Sequence, residues 1–281
     1  MNPLLPDSAA SIFYDGIFAE PRLDHPESLT VGPDGAIWCG GEAGQIYRLD
    51  LDGPRLELAA STGGFTLGLA HLGDGRLLTC DLKHAAVFQT NLETGESTVF
   101  ATGADDVRFR FANYIVTGPQ GEIYVSDSHQ FREPGPGIFR FTADGSGELW
   151  YDRPLDFANG MTMAPDGTAV YVVETFGRRI SRIPINGDGS SGDAETVAEF
   201  AGALPDGIAF GPDGLLYVGC YEPSQISRVA ADGTVEVVVR DADAHTLCHP
   251  TDVAIIGSTL YATNLGRWHI SSVDLSALLD G

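Results

Sequence analysis

The sequence is poor in basic residues. Only 16 of its 281 residues are Lys or Arg, against 39 Asp and Glu, and the formal net charge is −23. Such a charge repels nucleic acids and anionic membrane surfaces and attracts cations, so we expect a small-molecule partner and neither of the first two. Lysine occurs once, at Lys83. Lysine Schiff-base chemistry, or a phosphate held by lysine, would therefore have to use that single position.

Cysteine and long apolar runs are also scarce. No C-x-x-C pair links the four cysteines, Cys39, Cys80, Cys220 and Cys248, so we expect buried free thiols in a reducing cytoplasm. No run approaches the roughly 20 apolar residues that a membrane helix needs. The N-terminus "MNPLLPDSAASIFYDG" lacks the basic start and apolar stretch of a secretory signal. These absences predict a cytoplasmic location and no membrane association.

A hairpin pattern repeats along the chain. "LTVGPDGAIWCG" at 29–40 recurs as "IVTGPQGEIYVS" at 115–126 and "IAFGPDGLLYVG" at 208–219, with further copies at 69–80, 161–173 and 253–263. Each copy has two β-branched or aromatic runs around a turn with glycine, which is typical of a β-hairpin. A second hairpin follows in most copies. Six four-stranded units of about 45 residues each favour a β-propeller.

We therefore predict an all-β fold, a single six-bladed β-propeller domain over residues 1–281. Its blade repeats start near residues 25, 65, 111, 157, 204 and 249. The sixth copy shows only three strands before the chain ends, whereas "ASIFYDGIFAEP" at 10–21 has a strand pattern of its own. We predict that this N-terminal segment supplies the outermost strand of the last blade, because such closure removes exposed sheet edges.

The first strand of each blade is innermost, so equivalent residues at its start should surround the channel. Counting back eight positions from the turn glycines, and aligning the sixth copy by its His-Pro, gives Glu27, Leu67, Asn113, Asn159, Asp206 and Thr251. The four carboxylates and amides among them predict a site for one divalent cation, Ca²⁺ first, with Zn²⁺, Mn²⁺ and Mg²⁺ as alternatives. The competing interpretation is that strand starts at a wet channel simply tolerate polar residues.

The column two residues earlier is mostly apolar and contains His25, Phe65, Phe111, Phe157, Leu204 and His249. We expect His25, Phe111, Phe157 and His249 to line the substrate site; a packed aromatic belt with hydrogen-bonded histidines is the alternative. In "RFRFAN", Arg110 is the candidate to hold an anionic group near Asn113, the alternative being a surface pair with Arg108. The second strands return to the same face and bring further candidates, either for the pocket or for support behind the ligands: Asp81, Asp127, Glu174, Cys220 and Asn264.

These residues resemble the gluconolactonase, regucalcin (senescence marker protein) and luciferin-regenerating-enzyme family over essentially the whole chain. The likeness is strongest in "NGMTMAPDG", which begins at Asn159, and in "PDGIAFGPDG", which contains Asp206. The resemblance implies that Glu27, Asn159 and Asp206 hold a metal ion. It also implies that Asn113 lies beside them and contacts the metal or the substrate.

Two departures from the family pattern are visible. Glu27-Ser28-Leu29 stands where the family has Glu-Gly-Pro, and Asn113-Tyr114-Ile115 stands where it has Asn-Asp-Gly. Phe111 also occupies the place of the family's substrate-binding arginine. The resemblance therefore supports the metal site more strongly than it supports a sugar lactone as the substrate.

The pattern and the resemblance together predict a metal-dependent hydrolase of a small lactone or ester. In this hypothesis the cation polarises the carbonyl group, and Asp206 orients or deprotonates the attacking water as general base. Two alternatives stay open, because a fold does not fix a function. One is a lyase or cyclase of small-molecule biosynthesis, and the other is a non-catalytic propeller that binds a structural or sensory cation. The sequence carries no signal for the oligomeric state.

Overall fold

The computed structural model describes residues 2–279 and consists almost entirely of antiparallel strands. A 3-10 helix, Asp7–Ala9, leads into β1, Ala10–Tyr14. Blade 1 contains β2 to β5, which span Leu29–Val31, Ile37–Gly40, Gln45–Leu49 and Leu56–Ser61. Blade 2 contains β6 to β9, which span Thr66–His71, Arg76–Asp81, Ala86–Asn91 and Ser97–Ala101. A small hairpin follows, formed by β10, Gly103–Ala104, and β11, Val107–Arg108.

The second half of the chain continues the same order. Blade 3 contains β12 to β15, which span Ala112–Thr117, Ile123–Asp127, Gly135–Phe141 and Gly147–Leu155. Blade 4 contains β16 to β19, which span Ala158–Met163, Ala169–Glu174, Arg179–Pro184 and Glu195–Glu199. Blade 5 contains β20 to β23, which span Leu204–Phe210, Leu216–Glu222, Gln225–Val229 and Val235–Arg240. Blade 6 contains β24 to β26, which span Pro250–Ile256, Thr259–Asn264 and His269–Asp274, and a short helix α1 follows, Ser276–Leu279.

The N-terminal strand closes the last blade, as predicted. β1 pairs antiparallel with β26, with Ser11 opposite Ser272, so that blade 6 also has four strands. The innermost strands contact one another in chain order, and β2 contacts β24 to complete the ring. The six-bladed β-propeller is therefore confirmed. The closing strand ends at Tyr14, earlier than residue 21, because the carboxylate of Asp15 accepts the N–H groups of Ile17 and Phe18 and turns the chain.

The core lies between the blades. Leu78 and Val87 of blade 2 pack with Ile123 and Phe139 of blade 3, and equivalent clusters fill the other interfaces. Burial of each such side chain contributes roughly 1.5–3 kcal/mol before the entropy cost of folding is subtracted. The four cysteines are free thiols buried within these layers, as the sequence predicts.

The repeated Pro-Asp-Gly turns hold the hairpins in register. In the first copy, Asp34 accepts the N–H of Ala36 at 3.2 Å, and Gly35 adopts a φ of 79°. A positive φ is comfortable for glycine and strained for other residues. This local chemistry explains why a turn with glycine marks the repeats, with Pro-Asp-Gly in copies one, four and five. Within residues 2–279, no helix has the length and apolar character that crossing a membrane requires.

Candidate metal centre at the channel mouth

β-Bulges at the start of the innermost strands shape the site. The pairing register shifts between Ala112 and Ile115 in β12, and between Ala158 and Met161 in β16. Similar shifts occur at the same position of β6, β20 and β24. A bulge takes residues out of the ladder and redirects their side chains. Five members of the predicted column lie at these bulges, namely Leu67, Asn113, Asn159, Asp206 and Thr251, whereas Glu27 lies just before β2. The six residues are here called the ring.

Two hydroxyl groups orient the amides of the ring. Asn113 donates its Nδ2–H to Ser128 Oγ at 2.9 Å, and Asn159 donates its Nδ2–H to Thr175 Oγ1 at 3.1 Å. Both amides are almost fully buried. Because the nitrogen atoms are engaged, the Oδ1 atoms are left as acceptors. Asn113 Oδ1 has no hydrogen-bond donor among residues 2–279, which is costly for a buried acceptor unless a ligand satisfies it.

The two carboxylates of the ring lie close enough to repel each other. Burial raises the pKa of Glu27 well above its usual value, and the charges of Asp206 and Asp252 raise it further. Burial likewise raises the pKa of Asp206, as does the charge of Asp252. Asp206 Oδ1 is a second buried acceptor that has no donor in the part of the chain that the structure describes. A divalent cation would offset this repulsion and satisfy both orphaned oxygens, so the residues present fit such an ion.

Asp252 is a third buried carboxylate that the column argument missed. It follows Thr251 of the ring and accepts hydrogen bonds from Ser28 Oγ at 2.6 Å and the Leu29 N–H at 3.0 Å. The phenol of Tyr114 donates to it from across the channel at 2.9 Å. Burial raises the pKa of Asp252 to about 6, although these hydrogen bonds oppose the shift. Asp252 is therefore held by the protein itself, whereas Asp206 keeps a free oxygen.

The sequence contained a signal for this network. Ser28, Tyr114 and Asp252 occupy one column, the position directly after the ring, and two of them are the departures from the family pattern. In a regular strand, successive side chains point to opposite faces, so the residues of this column would point away from those of the ring. The bulges break the alternation, so both columns take part in the channel.

A model described as "SMP-30/Gluconolactonase/LRE-like region" matches residues 25–263. The chain belongs to this family. Its fold agrees with that of a calcium-binding protein, regucalcin, from Agrobacterium tumefaciens, whose crystal structure superposes with a TM-score of 0.78 at 19% identity, covering 98% of this chain and 96% of that one.

Two relatives show how diverse the similar proteins are. Strictosidine synthase-like 6 of Arabidopsis thaliana is 24% identical over 90% of this chain and 80% of its own. The 6-deoxy-6-sulfogluconolactonase of Pseudomonas putida is 26% identical over 70% of this chain and 68% of its own. The chain is thus similar both to a lactonase and to a protein named for another chemistry.

Within this member of the SMP-30/gluconolactonase family, the four residues predicted to line the substrate site are His25, Phe111, Phe157 and His249, each two residues before a member of the ring. The rings of Phe111 and Phe157 meet edge to face with centroids 5.4 Å apart. His249 stacks on Tyr221 at 4.5 Å, and its Nδ1 lies 2.8 Å from the Tyr221 carbonyl oxygen. His25 packs against Trp268 at 4.1 Å. All four residues thus pack against an aromatic neighbour, and their contact with a substrate stays a prediction.

His25 also belongs to an acidic group at the rim. Its Nδ1 contacts Glu42 and lies 3.7 Å from Asp24. One ligand atom from each of these three residues lies within 4.8 Å of the others. His25 and Glu42 also line a cavity of about 350 Å³ at the mouth, together with Phe65 and Tyr221. The rim on this side is therefore negatively charged.

The arginine and the second-strand residues have different roles from those expected of a pocket. Arg110 is exposed, and its guanidinium reaches Gln130 at 3.5 Å; its contact with a substrate stays a prediction. Asp127 accepts the N–H groups of Arg110 and Phe111 at 2.8 and 3.0 Å. Glu174 and Asn264 accept backbone N–H groups of Asp156 and Cys248 in the same way. These side chains clamp the loops that precede the ring, so their role is to position it.

Proposed function

We propose that this protein is a metal-dependent hydrolase of a small lactone or ester. The observation that carries the proposal is the pair of buried, donor-free oxygens, Asn113 Oδ1 and Asp206 Oδ1, on one ring with Glu27 and Asn159. Two carboxylates and two amides form an all-oxygen set whose charge suits one divalent cation. The donors Glu27, Asn113, Asn159 and Asp206 would hold it.

Calcium is the cation we propose first. The set contains no thiolate or imidazole, the ligands that softer metals such as zinc commonly take in proteins. The regucalcin that shares this fold is described as calcium-binding, which supports the same choice. Zn²⁺, Mn²⁺ and Mg²⁺ are the alternatives, and a titration of each ion into the metal-free protein distinguishes them.

The cation and the residues of the chain would have separate roles in the reaction. When bound, the cation would polarise the carbonyl oxygen and stabilise negative charge that develops there. Asp206 would lie beside the cation as one of its ligands, where its carboxylate would orient the attacking water and accept its proton. The leaving alkoxide takes up a proton as the ester bond breaks, so lactone plus water gives the hydroxy acid. Tyr114 and Asp252 close the channel beneath the ring, so substrate and water would approach from the mouth.

The test is hydrolysis by metal-stripped protein. A panel of small lactones and aryl esters would be followed at constant pH by base consumption, before and after addition of Ca²⁺. The proposal expects hydrolysis that disappears with chelator and returns with the ion. Stoichiometric Ca²⁺ binding without hydrolysis of any panel member would instead favour the non-catalytic binding propeller.

A lyase or cyclase is the second candidate. It is favoured by the strictosidine synthase-like relative, which covers more of this chain than the lactonase relative does. Phe111 stands in the place of the family's substrate-binding arginine, so a sugar acid would lack an ionic contact here. This also favours a reaction other than sugar-lactone hydrolysis. Product analysis separates the two candidates, because a hydrolase adds water to the product and incorporates ¹⁸O from labelled water, whereas a lyase or cyclase does not.

We also propose that the protein acts in the cytoplasm on a small molecule. Four free, buried thiols suit a reducing compartment. The net charge of −23 disfavours nucleic acid and anionic membranes as partners. Fractionation of the native cells tests the location directly.

A further inference from the structure

Four phenylalanines form a continuous aromatic wall at the mouth, here defined as Phe111, Phe131, Phe157 and Phe176. Phe176 lies 4.8 Å from both Phe131 and Phe157, in edge-to-face or tilted geometry. Phe111 extends the wall at 5.4 Å from Phe157. Aromatic pairs prefer these arrangements, so the wall has a defined shape. Phe131 nevertheless remains 64% exposed, which leaves a large apolar surface open to solvent.

The wall is attached to the groups that orient the ring. Phe176 directly follows Thr175, the residue that accepts the hydrogen bond from Asn159. Phe131 lies in the same loop as Ser128, which accepts the hydrogen bond from Asn113. The position of the wall relative to the ring amides is therefore fixed by hydrogen bonds. A substrate whose carbonyl group reaches the ring would have its substituent beside the wall.

The backbone is strained where the wall meets the ring. Phe157 has a φ of 65°, a left-handed conformation that costs a bulky residue on the order of 1 kcal/mol or more. The turn is held by hydrogen bonds from Phe157 N–H to Leu155 O at 3.1 Å and from Thr175 N–H to Phe157 O at 3.2 Å. A glycine or asparagine would fit this conformation more easily. The equivalent residues of blades 1 and 6, His25 and His249, also have a positive φ, so this turn recurs in the repeat and presents an aromatic side chain in each of these three blades.

The opposite side of the mouth carries a negative charge beside apolar groups. The cavity of about 350 Å³ there is lined by Phe65, Tyr221, Leu265 and Gly266, together with His25 and Glu42. The carboxylate of a sugar acid would be repelled by Glu42, whereas a substrate without a free carboxylate would not. An apolar substituent would lose no hydrogen bonds to water here and would gain contact with the wall.

Resting on the proposed function, we propose that the substrate is a lactone or ester that carries an aryl substituent and that this substituent packs on the aromatic wall. Arg132 lies over two rings of the wall, with its guanidinium carbon 5.5 Å from the centre of the Phe131 ring and 5.9 Å from that of the Phe176 ring. Phe131 and Phe176 are then specificity-determining residues outside the metal centre. This substrate class differs from the sugar lactones that the family resemblance implies.

A matched set of γ-butyrolactones tests the inference. The three compounds carry phenyl, methyl or hydroxymethyl at the γ-carbon, so only the substituent changes. With the Ca²⁺-loaded protein, we expect kcat/KM for the phenyl lactone to exceed that for the hydroxymethyl lactone by about tenfold or more, which corresponds to burial of one aromatic face. Phe131→Ala is expected to reduce this ratio to near one. Leu58→Ala, at a residue 61% exposed on the outermost strand of blade 1, is the matched control and should leave the ratio unchanged.

Binding of the corresponding γ-lactams separates this inference from the proposed function, because lactams resist hydrolysis. Calorimetry should give a Kd for the phenyl lactam about tenfold lower than for the hydroxymethyl lactam. If that preference is found but no lactone is hydrolysed, the hydrolase proposal fails and the substrate class stands. If lactones are hydrolysed but the phenyl compounds show no preference in either assay, the inference is overturned and the hydrolase stands. Absence of binding by any lactam also overturns the inference.

Discussion

The phenol of Tyr114 and the carboxylate of Asp252 meet across the central channel at 2.9 Å. Tyr114 lies on β12 of blade 3 and Asp252 on β24 of blade 6, on opposite sides of the ring of blades. Tyr114 also lines a second cavity, of about 320 Å³, on the far side of the channel. Tyr114 therefore connects the far-side cavity with the buried carboxylate next to the candidate metal centre.

Removal of this hydroxyl should weaken the fold measurably. We expect Tyr114→Phe to lower the free energy of unfolding by about 1.5–3 kcal/mol, the range for a hydrogen bond to a charged partner. Urea unfolding measures the change. Tyr171→Phe is the control, since Tyr171 is a half-buried tyrosine of β17 that packs on Phe210, away from the channel. Equal effects of the two substitutions would show that the cross-channel bond contributes nothing specific.

Asp252 should make the metal-free protein less stable as the pH rises. Its pKa in the folded protein is about 6, above the value near 3.9 expected when unfolded. A raised carboxyl pKa gives stability that is fully present below the unfolded pKa and is lost as the pH rises through the folded pKa. With chelator present, the unfolding free energy of the wild type should therefore fall between pH 5 and pH 7 by roughly 1 kcal/mol more than that of Asp252→Asn. If the unfolding free energies of the two proteins change with pH in parallel, Asp252 does not have a raised pKa.

The hydroxyl of Thr175 should matter for cation binding even though it does not belong to the ring. Thr175→Val removes the acceptor that holds the Asn159 amide nitrogen at 3.1 Å. Loss of an outer hydrogen bond of this kind typically lowers metal affinity about 10-fold to 100-fold. We expect a loss of at least tenfold in Ca²⁺ affinity by calorimetry. Thr175→Ser keeps a hydroxyl and should recover most of the Ca²⁺ affinity. If the serine variant binds Ca²⁺ as weakly as the valine variant, the loss comes from altered packing and not from the hydrogen bond.

Gly207 should tolerate no side chain. A Cβ at this position would lie 2.2 Å from Asp252 Oδ1 and 2.5 Å from the Asp252 Cα. We expect Gly207→Ala to destabilise the protein by about 1–3 kcal/mol, as other overpacked sites do. Gly187→Ala is the matched control, because a Cβ there meets nothing within 4 Å. Similar melting temperatures for both variants would show that the inner strands can separate at little cost.

Much of the fold could be predicted from the sequence because the fold repeats. Gly35 and its four equivalents each required a turn, and the spacing of those turns, with the sixth copy of the hairpin, indicated the number of blades. The sequence also indicated that the N-terminal segment closes blade 6, since the last repeat lacked a strand. The end of β1 at Tyr14 was not predicted, because it depends on the hydrogen bonds that Asp15 makes in the folded protein.

The candidate site could be predicted only in part, for a physical reason. Residues in equivalent positions of a repeat lie together, so Glu27, Asn159 and Asp206 could be grouped without coordinates. Asp252 could not be grouped with them by period-two alternation, because the bulges that bring it to the channel are defined by pairing between strands. Phe131 was missed because it lies in a loop whose length differs between blades.

The most direct test of the metal centre is a calorimetric titration of Ca²⁺ into three metal-free proteins: the wild type, Asp206→Asn and Asp52→Asn. Asp206→Asn keeps the shape of the side chain and removes its charge, and Asp52 is an exposed aspartate of a surface turn. The account predicts one bound Ca²⁺ with the same Kd for the wild type and Asp52→Asn, and a Kd at least 100-fold higher for Asp206→Asn. Equal Ca²⁺ affinity in all three proteins would contradict it.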